Sequence, residues 1–577
     1  MRVSGGGSAP TAARQKMIEM VISMNELNLR NVVFSNQYSR LMILDRSEAG
    51  SAPAFSISLS RDDPTGIRYN LMSFTPTYEG KPVECRYEAD PGVLTLIAEQ
   101  GKLEICFAPA GDVLKFRSTE GIGVQFHIDF AMHELFVDRL DGSVEIGFSS
   151  MGEFLFEVVK GAQTHNNMWI GPKMCATPTD VDWTPADGVL EGYINWNTEY
   201  VEKLAFGDFD VDVAANRESF NAWLKKFPET AEIYAPARQA AGYLTWICDQ
   251  KALWRLKEDA AYMARCGVDQ RASAWLQSFY AMAAWRDQGY AFDLLHSFFA
   301  MQDKYGMIPG TADDRLVDYA LAYAPVQGFA LNWILDRIGD ENVCAKQCER
   351  LYDPMCAWVN WWKEYRAGSN GLACYNRAAE AKLGAGLDFW YGTPVETPDL
   401  QAYLILCMEA CGRLAKILGK EEAAAAHFAE AKAWTEKLVA ELWDGETFVC
   451  KTACGCKSVN SQSALACVPV ILGKRLPEEI LQKLVKRLAD SRKFCTEKGF
   501  ASESMDSPLA KCCCPSPEVQ QILTVGLWQA GETALAEKAA ENWCKFFLQP
   551  CTAVREVPGS AGCVGSIVFF TLAELLK

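Results

Sequence analysis

The sequence contains little histidine. Its 577 residues include five imidazoles, three of which lie before residue 170, and these five are His127, His133, His165, His296 and His427. The last two lie in apolar helical stretches, FDLLHSFFA and AAAAHFAEA, where a packed imidazole is the simplest interpretation. Ser-His-Asp and Cys-His catalysis both need a histidine beside the nucleophile. The sequence therefore disfavours these mechanisms, and a histidine-rich metal site, in the later two-thirds of the chain.

Positive charge and long apolar runs are also scarce. The chain has 56 Lys and Arg against 73 Asp and Glu, a formal net charge of −17, which disfavours binding to phosphate backbones or anionic membranes. No stretch of 18 uninterrupted apolar residues predicts a membrane span, and the first 17 residues lack the apolar segment of a secretory leader. We expect a cytoplasmic protein that binds neither nucleic acid nor membranes. Its oligomeric state stays open.

Cysteine is abundant, but the sequence lacks the Cys-x-x-Cys pairs of zinc ribbons. Twenty-two cysteines are scattered along the chain, many of them inside helical stretches. The densest clusters are Cys450, Cys454 and Cys456, and Cys512–Cys514. We interpret them as reduced thiols of a cytosolic protein, with metal binding by the clusters as the alternative. No metal or organic cofactor is expected.

The hydrophobic pattern changes its period along the chain. After a tail over residues 1–14, short alternating segments such as VLKFRS and SVEIGFSS predict an antiparallel β-sandwich over residues 15–225. The apolar spacing of residues 226–577 predicts helices. Twelve segments begin near Ala237, Ala272, Tyr290, Ala324, Asn342, Pro398, Glu421, Ser461, Pro477, Pro517, Thr533 and Gly565. Twelve helices, which can form six hairpins, predict an (α/α)6 toroid as the catalytic domain. The alternative is a helical-repeat solenoid, which the long and unequal loops disfavour.

One of these loops contains the first candidate catalytic residue. In GAGLDFWYGTPVETP, Asp388 is followed by Phe389, Trp390 and Tyr391, and Glu396 lies just beyond. Aromatic neighbours that desolvate a carboxylate raise its pKa and let it donate a proton near neutrality, and the same rings can stack on sugars. Spacing alone is equally compatible with a loop aspartate that caps backbone amides.

A second candidate carboxylate lies near the C-terminus. Arg555 and Glu556 precede a Pro-Gly turn and the last apolar segment. In a closed toroid the last helix packs beside the first, so Glu556 could face a carboxylate across the ring. A solvated ion pair on a loop is the alternative.

These stretches resemble the six-hairpin glycosidases of glycoside hydrolase family 63, to which the family 37 trehalases are related. The similar motifs are Gly386-Leu387-Asp388, Glu396-Thr397-Pro398-Asp399-Leu400-Gln401-Ala402, Gln302 with Gly306–Pro309, Ala324–Gly328, Gly499–Pro508, and Glu556 before Gly565-Ser566-Ile567. The resemblance implies that Asp388 is the general acid and Glu556 the general base. It also implies substrate contacts from Trp275, Gln277, Asp314, Trp390, Tyr391, Glu396 and Glu503.

The function implied is hydrolysis of a small, α-linked oligosaccharide or glycoside with inversion. An inverting pair of carboxyl groups stands about 6.5–9.5 Å apart to admit a water molecule. Glu503 competes with Glu556 for the role of base. The chain departs from the family at Gln277, where an acidic residue is usual, and at Cys512-Cys513-Cys514, where a Trp-Arg-Gly-Pro element is usual. These departures motivate an alternative, a non-catalytic carbohydrate-binding protein on the same fold.

Overall fold

The structure is a computed structural model of the chain. It describes residues 27–30, 32–48, 50–60, 71–109, 111–128, 135–148, 151–170, 175–176, 179–262, 271–383, 388–452, 462–510, 516–548 and 560–577. Strands dominate up to residue 197 and helices dominate from residue 209 onward. The predicted fold class, a helical protein preceded by antiparallel sheets, is therefore confirmed.

The N-terminal part consists of antiparallel sheets. Its strands are β1 (Leu41–Asp45), β2 (Phe55–Leu59), β3 (Met72–Tyr78), β4 (Lys81–Pro82), β5 (Arg86–Ala89), β6 (Leu94–Ala98), β7 (Gly101–Phe107), β8 (Val113–Ser118), β9 (Ile122–Ile128), β10 (Leu135–Asp138), β11 (Val144–Phe148), β12 (Gly152–Lys160), β13 (Ala162–His165), β14 (Trp169–Ile170), β15 (Cys175–Ala176), β16 (Thr179–Thr184) and β17 (Leu190–Asn197). One sheet has the order β1-β2-β3-β9-β16-β13, with β4 beside β3, and the other has the order β10-β11-β12-β17-β8-β7-β6-β5. Strands β14 and β15 pair separately.

Aromatic side chains fill the space between the two large sheets. Phe116 of β8 lies 5.4 Å from Phe126 of β9, and Phe126 lies 4.9 Å from Trp183 of β16, both as ring-centroid distances. Since β8 belongs to one sheet and β9 and β16 to the other, the sheets pack face to face. The alternating sequence pattern places these residues on the inner faces.

Helices form the rest of the chain. They are α1 (Phe209–Leu224), α2 (Ala235–Cys248), α3 (Ala274–Ala283), α4 (Gln288–Phe299), α5 (Gln327–Ile338), α6 (Ala345–Tyr365), α7 (Pro398–Ile417), α8 (Glu421–Leu442), α9 (Ala464–Arg475, of 3₁₀ type), α10 (Glu478–Ala489), α11 (Pro517–Ala530), α12 (Thr533–Leu548) and α13 (Ser560–Ala573). Short helical turns at Glu232–Tyr234, Asp340–Asn342, Ala378–Ala381 and Glu574–Leu576 accompany them. No described helix combines the length and hydropathy that a membrane span requires.

Helices α2–α13 close into a ring of two layers. The odd-numbered helices from α3 to α13 are the inner layer, in which each packs against the next and α13 packs against α3. The even-numbered helices lie outside, and α13 also contacts α2. Inner helix α3 is buried along its whole length, whereas outer helix α10 buries only the side that carries Ile480, Leu481, Leu484 and Leu488. The predicted (α/α)6 toroid is confirmed, with its last helix beside its first.

Helix α1 corrects the end of the predicted sheet region. The β-sandwich was predicted to extend over residues 15–225, but Phe209–Leu224, within that range, form a helix. Asp208 is its N-cap, and the Asp208 carboxylate accepts hydrogen bonds from the backbone N–H groups of Asp210 and Val211 at 2.9 and 3.2 Å. Helix α1 packs on both β7 and α2. The division at residues 225 and 226 stays a prediction.

Asp249 joins the two parts of the protein. Its buried carboxylate accepts a hydrogen bond from Nε2 of Gln37, in the N-terminal part, at 2.9 Å and one from the Tyr290 hydroxyl, on α4, at 3.0 Å. Burial raises the pKa of Asp249 to about 7, because the ionised form is poorly solvated and the two hydrogen bonds offset this only in part.

We expect Asp249 to make the unfolding free energy depend on pH. The folded-state pKa lies above the value of 3.8 for an unburied carboxyl, so the contribution of this group to stability is fully present below about pH 4 and is lost as the pH rises through about 7. In an Asp249→Asn variant, the loss of stability between about pH 5 and 7 should be smaller by on the order of 1 kcal/mol per pH unit.

Urea unfolding at several pH values measures this difference. Glu479→Gln, which makes the same chemical change on an exposed carboxylate, is the matched control. Equal slopes of unfolding free energy against pH in Asp249→Asn and the unsubstituted protein would contradict the prediction.

Candidate active site

The connections of the toroid are short at one end and long at the other. Those from inner to outer helices are short, such as Gly531 and Glu532 between α11 and α12. Such short links make consecutive helices antiparallel, so the connections from outer to inner helices all emerge at the opposite end. These are long, for example residues 300–326 and 366–397. Every predicted site residue that the structure describes lies in one of them or in the first turn of an inner helix.

Two-residue strands pair within the long connections and between them. The pairs are β18 (Asp249–Gln250) with β19 (Ala260–Ala261), β20 (Ala272–Ser273) with β21 (Thr311–Ala312), β21 with β22 (Val317–Asp318), β23 (Val395–Glu396) with β24 (Lys451–Thr452), and β25 (Cys495–Thr496) with β26 (Gly499–Phe500). A further bridge pairs Ser463 with Glu503. This end of the toroid is thus a rim whose backbone is largely fixed by hydrogen bonds.

Three inner helices hold this rim through a glutamine at their fourth position. Gln277 of α3 accepts a hydrogen bond from the N–H of Ala261 at 3.1 Å and donates one to its carbonyl at 2.5 Å. Gln401 of α7 makes the same pair with Ala373, at 3.2 and 2.8 Å. The third member is Gln520 of α11 with Phe500, at 2.6 and 2.5 Å. We call these three the glutamine clamps.

The clamps assign Gln277 a structural task. It was predicted to contact substrate, but both ends of its buried amide are bonded to the backbone of Ala261. The sequence signal that could have revealed this is the repeat Ala-Trp-Leu-Gln, Pro-Asp-Leu-Gln and Pro-Glu-Val-Gln at the starts of α3, α7 and α11.

Replacing Gln401 with Ala is expected to lower the free energy of unfolding by about 2–6 kcal/mol, because each of two buried polar groups left without a partner costs about 1–3 kcal/mol. The N–H and carbonyl of buried Ala373 both lose their bond to the amide. Urea unfolding at neutral pH measures the change. Gln482→Ala is the control, because Gln482 is exposed and bonds to Glu478 on the surface of α10, so its effect should stay within about 0.5 kcal/mol. Equal losses in the two variants would contradict the role of the clamp.

Asp388 is buried at the rim, with a fractional exposure of 1%. The Cys450 thiol donates a hydrogen bond to its Oδ1 at 3.4 Å. Burial raises the pKa of Cys450 well above its usual value, so the thiol is protonated and can donate. The predicted cause of the burial of Asp388 needs correction, since Trp390 and Tyr391 are 76% and 55% exposed and point away from the core. Of the three aromatic residues that follow Asp388, only Phe389 packs inward, 6.4 Å from the ring of Tyr375.

Two further buried carboxyl groups feel the charge of Asp388. Asp399, in the first turn of α7, accepts a hydrogen bond from the Tyr375 hydroxyl at 3.0 Å. Desolvation, with a smaller contribution from Asp388, raises the pKa of Asp399 to about 7. Glu503 accepts a hydrogen bond from the Ser507 hydroxyl at 2.6 Å, and desolvation together with Asp388 raises its pKa as well. The structure thus groups Glu503 with Asp388 and adds Asp399, which the sequence analysis did not select.

Glu396 faces a different environment. Its Oε2 accepts a hydrogen bond from Asn370 at 2.9 Å, and the charges that act on it are those of Lys451, Glu441 and Lys437. Desolvation raises the pKa of Glu396. The carboxylate lies so close to the backbone that a Cβ atom at Gly368 would stand 2.1 Å from Oε1, so a larger residue at this position would have to displace the carboxylate. Glu396 therefore supports the rim on the side of outer helix α8.

Trp275 lies beside Tyr403 at the same end of the ring. Their ring centroids are 6.0 Å apart, and both side chains are fully buried at the starts of α3 and α7. Within the described part of the chain, neither the Trp275 indole N–H nor the Tyr403 hydroxyl has a hydrogen-bond partner. Tyr403 also feels the charge of Asp399. Such groups are the donors that a polyhydroxylated ligand satisfies.

Asp314 lies where the N-terminal part meets the rim. It is buried in the connection between α4 and α5, and its carbonyl accepts a hydrogen bond from the N–H of Arg255 at 3.0 Å. Burial alone would lower the pKa of the Arg40 guanidinium, but Tyr262, Asp112 and Asp314 outweigh it and the pKa is raised. A cleft of about 880 Å³ opens beside Arg40, between the sheets and the connection that follows α2. The N-terminal part thus supplies a buried cation next to a predicted site residue.

Some predicted residues lie outside the described part of the chain. Glu556, Gly386 and the cysteines Cys454, Cys456 and Cys512–Cys514 are among them. In the sequence, Glu556 falls between α12 and α13, again in a connection from an outer to an inner helix. Among the residues with described positions, no group of three His, Cys, Asp or Glu side chains could hold a metal ion.

Comparison with known proteins adds an independent observation. The family described as mannosylglycerate hydrolase MGH1-like glycoside hydrolase domain matches residues 270–514. The matched residues span helices α3–α10 of the ring and are similar to a glycoside hydrolase domain. They contain Asp388, Asp399 and Glu503, together with the inner helices α3, α5, α7 and α9. The resemblance to glycoside hydrolase family 63 is confirmed, and so is the predicted class of enzyme, a glycosidase.

One solved structure resembles nearly the whole chain in its fold. A bacterial glucoamylase complexed with acarbose is 10% identical with a TM-score of 0.58, over 96% of this chain and 95% of that one, which supports the fold alone. A family 63 mannosylglycerate hydrolase from Thermus thermophilus, in complex with glucose, is 14% identical with a TM-score of 0.47, over 59% of this chain and 99% of that one. No curated protein matches the sequence.

Proposed function

We propose that the glycoside hydrolase domain cleaves a small, α-linked oligosaccharide or glycoside with inversion of the anomeric configuration. The observation that carries the proposal is the burial of Asp388 at the rim, within electrostatic reach of the buried carboxyl groups of Asp399 and Glu503. Carboxyl groups that oppose each other's ionisation are typical of acid–base sites. Placing three such groups together in the protein interior costs stability, and a catalytic task accounts for that cost.

In the proposed mechanism, Asp388 protonates the leaving oxygen of the glycosidic bond. A carboxylate on the opposite face of the sugar removes a proton from water as the water attacks the anomeric carbon, and no metal or organic cofactor is needed. Glu556 is the proposed base, on the strength of its family resemblance and its place before the last inner helix. Trp275 and Tyr403 would donate hydrogen bonds to sugar hydroxyls.

Glu503 is the second candidate for the base. Its raised pKa depends in part on the charge of Asp388, which supports a place in the same site. The Ser507 hydroxyl already occupies one of its oxygens, at 2.6 Å. A carboxylate held in this way is also suited to bind a sugar hydroxyl, which is the role predicted for it from the resemblance.

The experiment that tests the proposal is a screen of aryl and natural α- and β-glycosides with a reducing-sugar readout, followed by proton NMR of the first anomer released. The proposal expects turnover of an α-linked substrate and initial release of the β-anomer. Release of the α-anomer would instead indicate retention, with carboxyl groups about 5–5.5 Å apart. Saturable sugar binding without turnover would support the non-catalytic alternative.

A further inference from the structure

A second cluster of reactive side chains lies away from the rim, where helices α6, α7 and α8 pack together. Its members are Cys356 on α6, Cys411 on α7 and His427 on α8. Sulfur atom Sγ of Cys356 lies 3.6 Å from Nε2 of His427, and the Tyr352 hydroxyl lies 3.4 Å from the same nitrogen. Cys411 is buried, whereas Cys356 and His427 are partly exposed. The sequence analysis interpreted His427 as a packed helical imidazole, but it contacts a thiol.

Each neighbour of Cys356 favours its thiolate form. The largest effect is a hydrogen bond from the Cys411 thiol, which lowers the pKa of Cys356; burial opposes it, and His427 and Tyr352 add further hydrogen bonds, so that the pKa falls to about 6. In return, the hydrogen bond to Cys356 raises the pKa of His427. The pKa of Cys411 is raised well above its usual value, so Cys411 stays protonated and can donate.

Two other charges act on His427, but they pair with each other, so the Cys356 thiolate and the His427 imidazolium are the central ion pair of the cluster. Glu430 and Lys363 both act on His427, with opposite signs, and they form an ion pair with each other. Lys420 lies over the ring of Tyr352, at 4.1 Å from its centroid. A thiolate that is stabilised by an imidazolium and accessible from solvent is the arrangement found in reactive cysteines.

We propose that Cys356 is a modification site for hydrogen peroxide and other small, soft electrophiles, and that Cys411 is the partner thiol that converts the oxidised sulfur into a disulfide. This site is independent of the glycosidase site. It needs a small reagent because Cys356 is only partly exposed.

Hydrogen peroxide oxidises the two thiols in two steps. The Cys356 thiolate attacks one peroxide oxygen, the O–O bond breaks, and the products are a sulfenic acid and hydroxide, which takes the proton of the His427 imidazolium to become water. The Cys411 sulfur then attacks the Cys356 sulfur and the S–OH bond breaks; the hydroxide leaves as water with the proton of the Cys411 thiol. Overall, two thiols are oxidised by two electrons, and one peroxide is reduced to two waters.

The first test is a timed alkylation of the intact protein with iodoacetamide, read peptide by peptide by mass spectrometry. Cys85 is the internal control, because it is also partly exposed but burial raises its pKa to about 11. At pH 7 we expect Cys356 to react at least about tenfold faster than Cys85, with a midpoint near pH 6. His427→Gln should slow the reaction at pH 6.5 and move the midpoint toward the usual value of about 8.5.

The second test adds hydrogen peroxide. We expect a peptide pair linked through Cys356 and Cys411 in the unsubstituted protein, and a dimedone-reactive sulfenic acid at Cys356 in Cys411→Ser. The proposal is overturned if Cys356 reacts no faster than Cys85 in the unsubstituted protein, a comparison that needs no variant to fold. A peroxide product at Cys356 that is linked to another cysteine, with Cys411 unmodified, would overturn the assigned partner.

Discussion

Replacing Asp388 with Asn is expected to lower kcat by about 10²–10⁴-fold on substrates with a poor leaving group. An amide cannot donate the proton that the leaving oxygen needs, and positioned proton transfer contributes about this factor. Substrates with an activated leaving group, such as glycosyl fluorides, need no protonation and should lose much less. The ratio of the loss on poor leaving groups to the loss on activated ones therefore tests whether Asp388 donates the proton.

The matched control for Asp388→Asn is Glu396→Gln, which changes another buried carboxyl of the same connection. Glu396 bonds to Asn370 and feels Lys451 and Glu441, so its loss should affect stability more than kcat. Thermal unfolding of both variants separates the two effects. Equal losses of kcat on fluorides and on natural glycosides in Asp388→Asn would show that another group is the acid.

Replacing the general base with Ala should also lower kcat by about 10²–10⁴-fold, and azide should restore part of the rate. A small anion can enter the space left by the carboxylate and attack the anomeric carbon directly. We expect this rescue in Glu556→Ala, with a glycosyl azide of inverted configuration as the product. Glu503→Ala is the comparison, because Glu503 competes for the same role, and there we expect a higher KM without rescue.

The outcome assigns the base in either case. Rescue in Glu503→Ala together with a small effect of Glu556→Ala would contradict the proposed assignment and make Glu503 the base. Proton NMR of the azide product identifies its configuration, and circular dichroism confirms that each variant is folded.

Much of the ring could be predicted from the sequence because its signals are local. Helix α7 begins at Pro398, as predicted, since proline suits the first turn of a helix and an apolar stretch follows. Helix α1 was not predicted: its first residues, FDVDV, alternate like a strand, whereas Asp208 before them is an N-cap. Local patterns thus located the elements of the toroid to within a few residues.

Only part of the site could be predicted, because many of its contacts join residues that are far apart in the chain. Asp388 precedes three aromatic residues in the sequence, yet Cys450, which donates a hydrogen bond to it, is distant in the chain and adjacent only after the connections fold. The tasks of Gln277 and Glu396 likewise depend on partners in other parts of the rim. Asp399 gave one usable signal, an acid in the first turn of a mostly apolar helix.

The glutamine clamps have a consequence for how such a site can change. Each clamp ties an inner helix to a residue of the connection that precedes it, 16, 28 or 20 positions earlier in the chain. The glutamine and the residue to which it bonds thus fix the two ends of the segment between them. We call such a segment a cassette, and its ends stay in place when its length or sequence changes. Because doubling the length of a flexible loop costs only about 0.6 kcal/mol, such a cassette can gain residues at little cost in stability. The cassette before Gln401 contains Asp388, so new sugar contacts could be inserted beside the acid without moving the helices that support it.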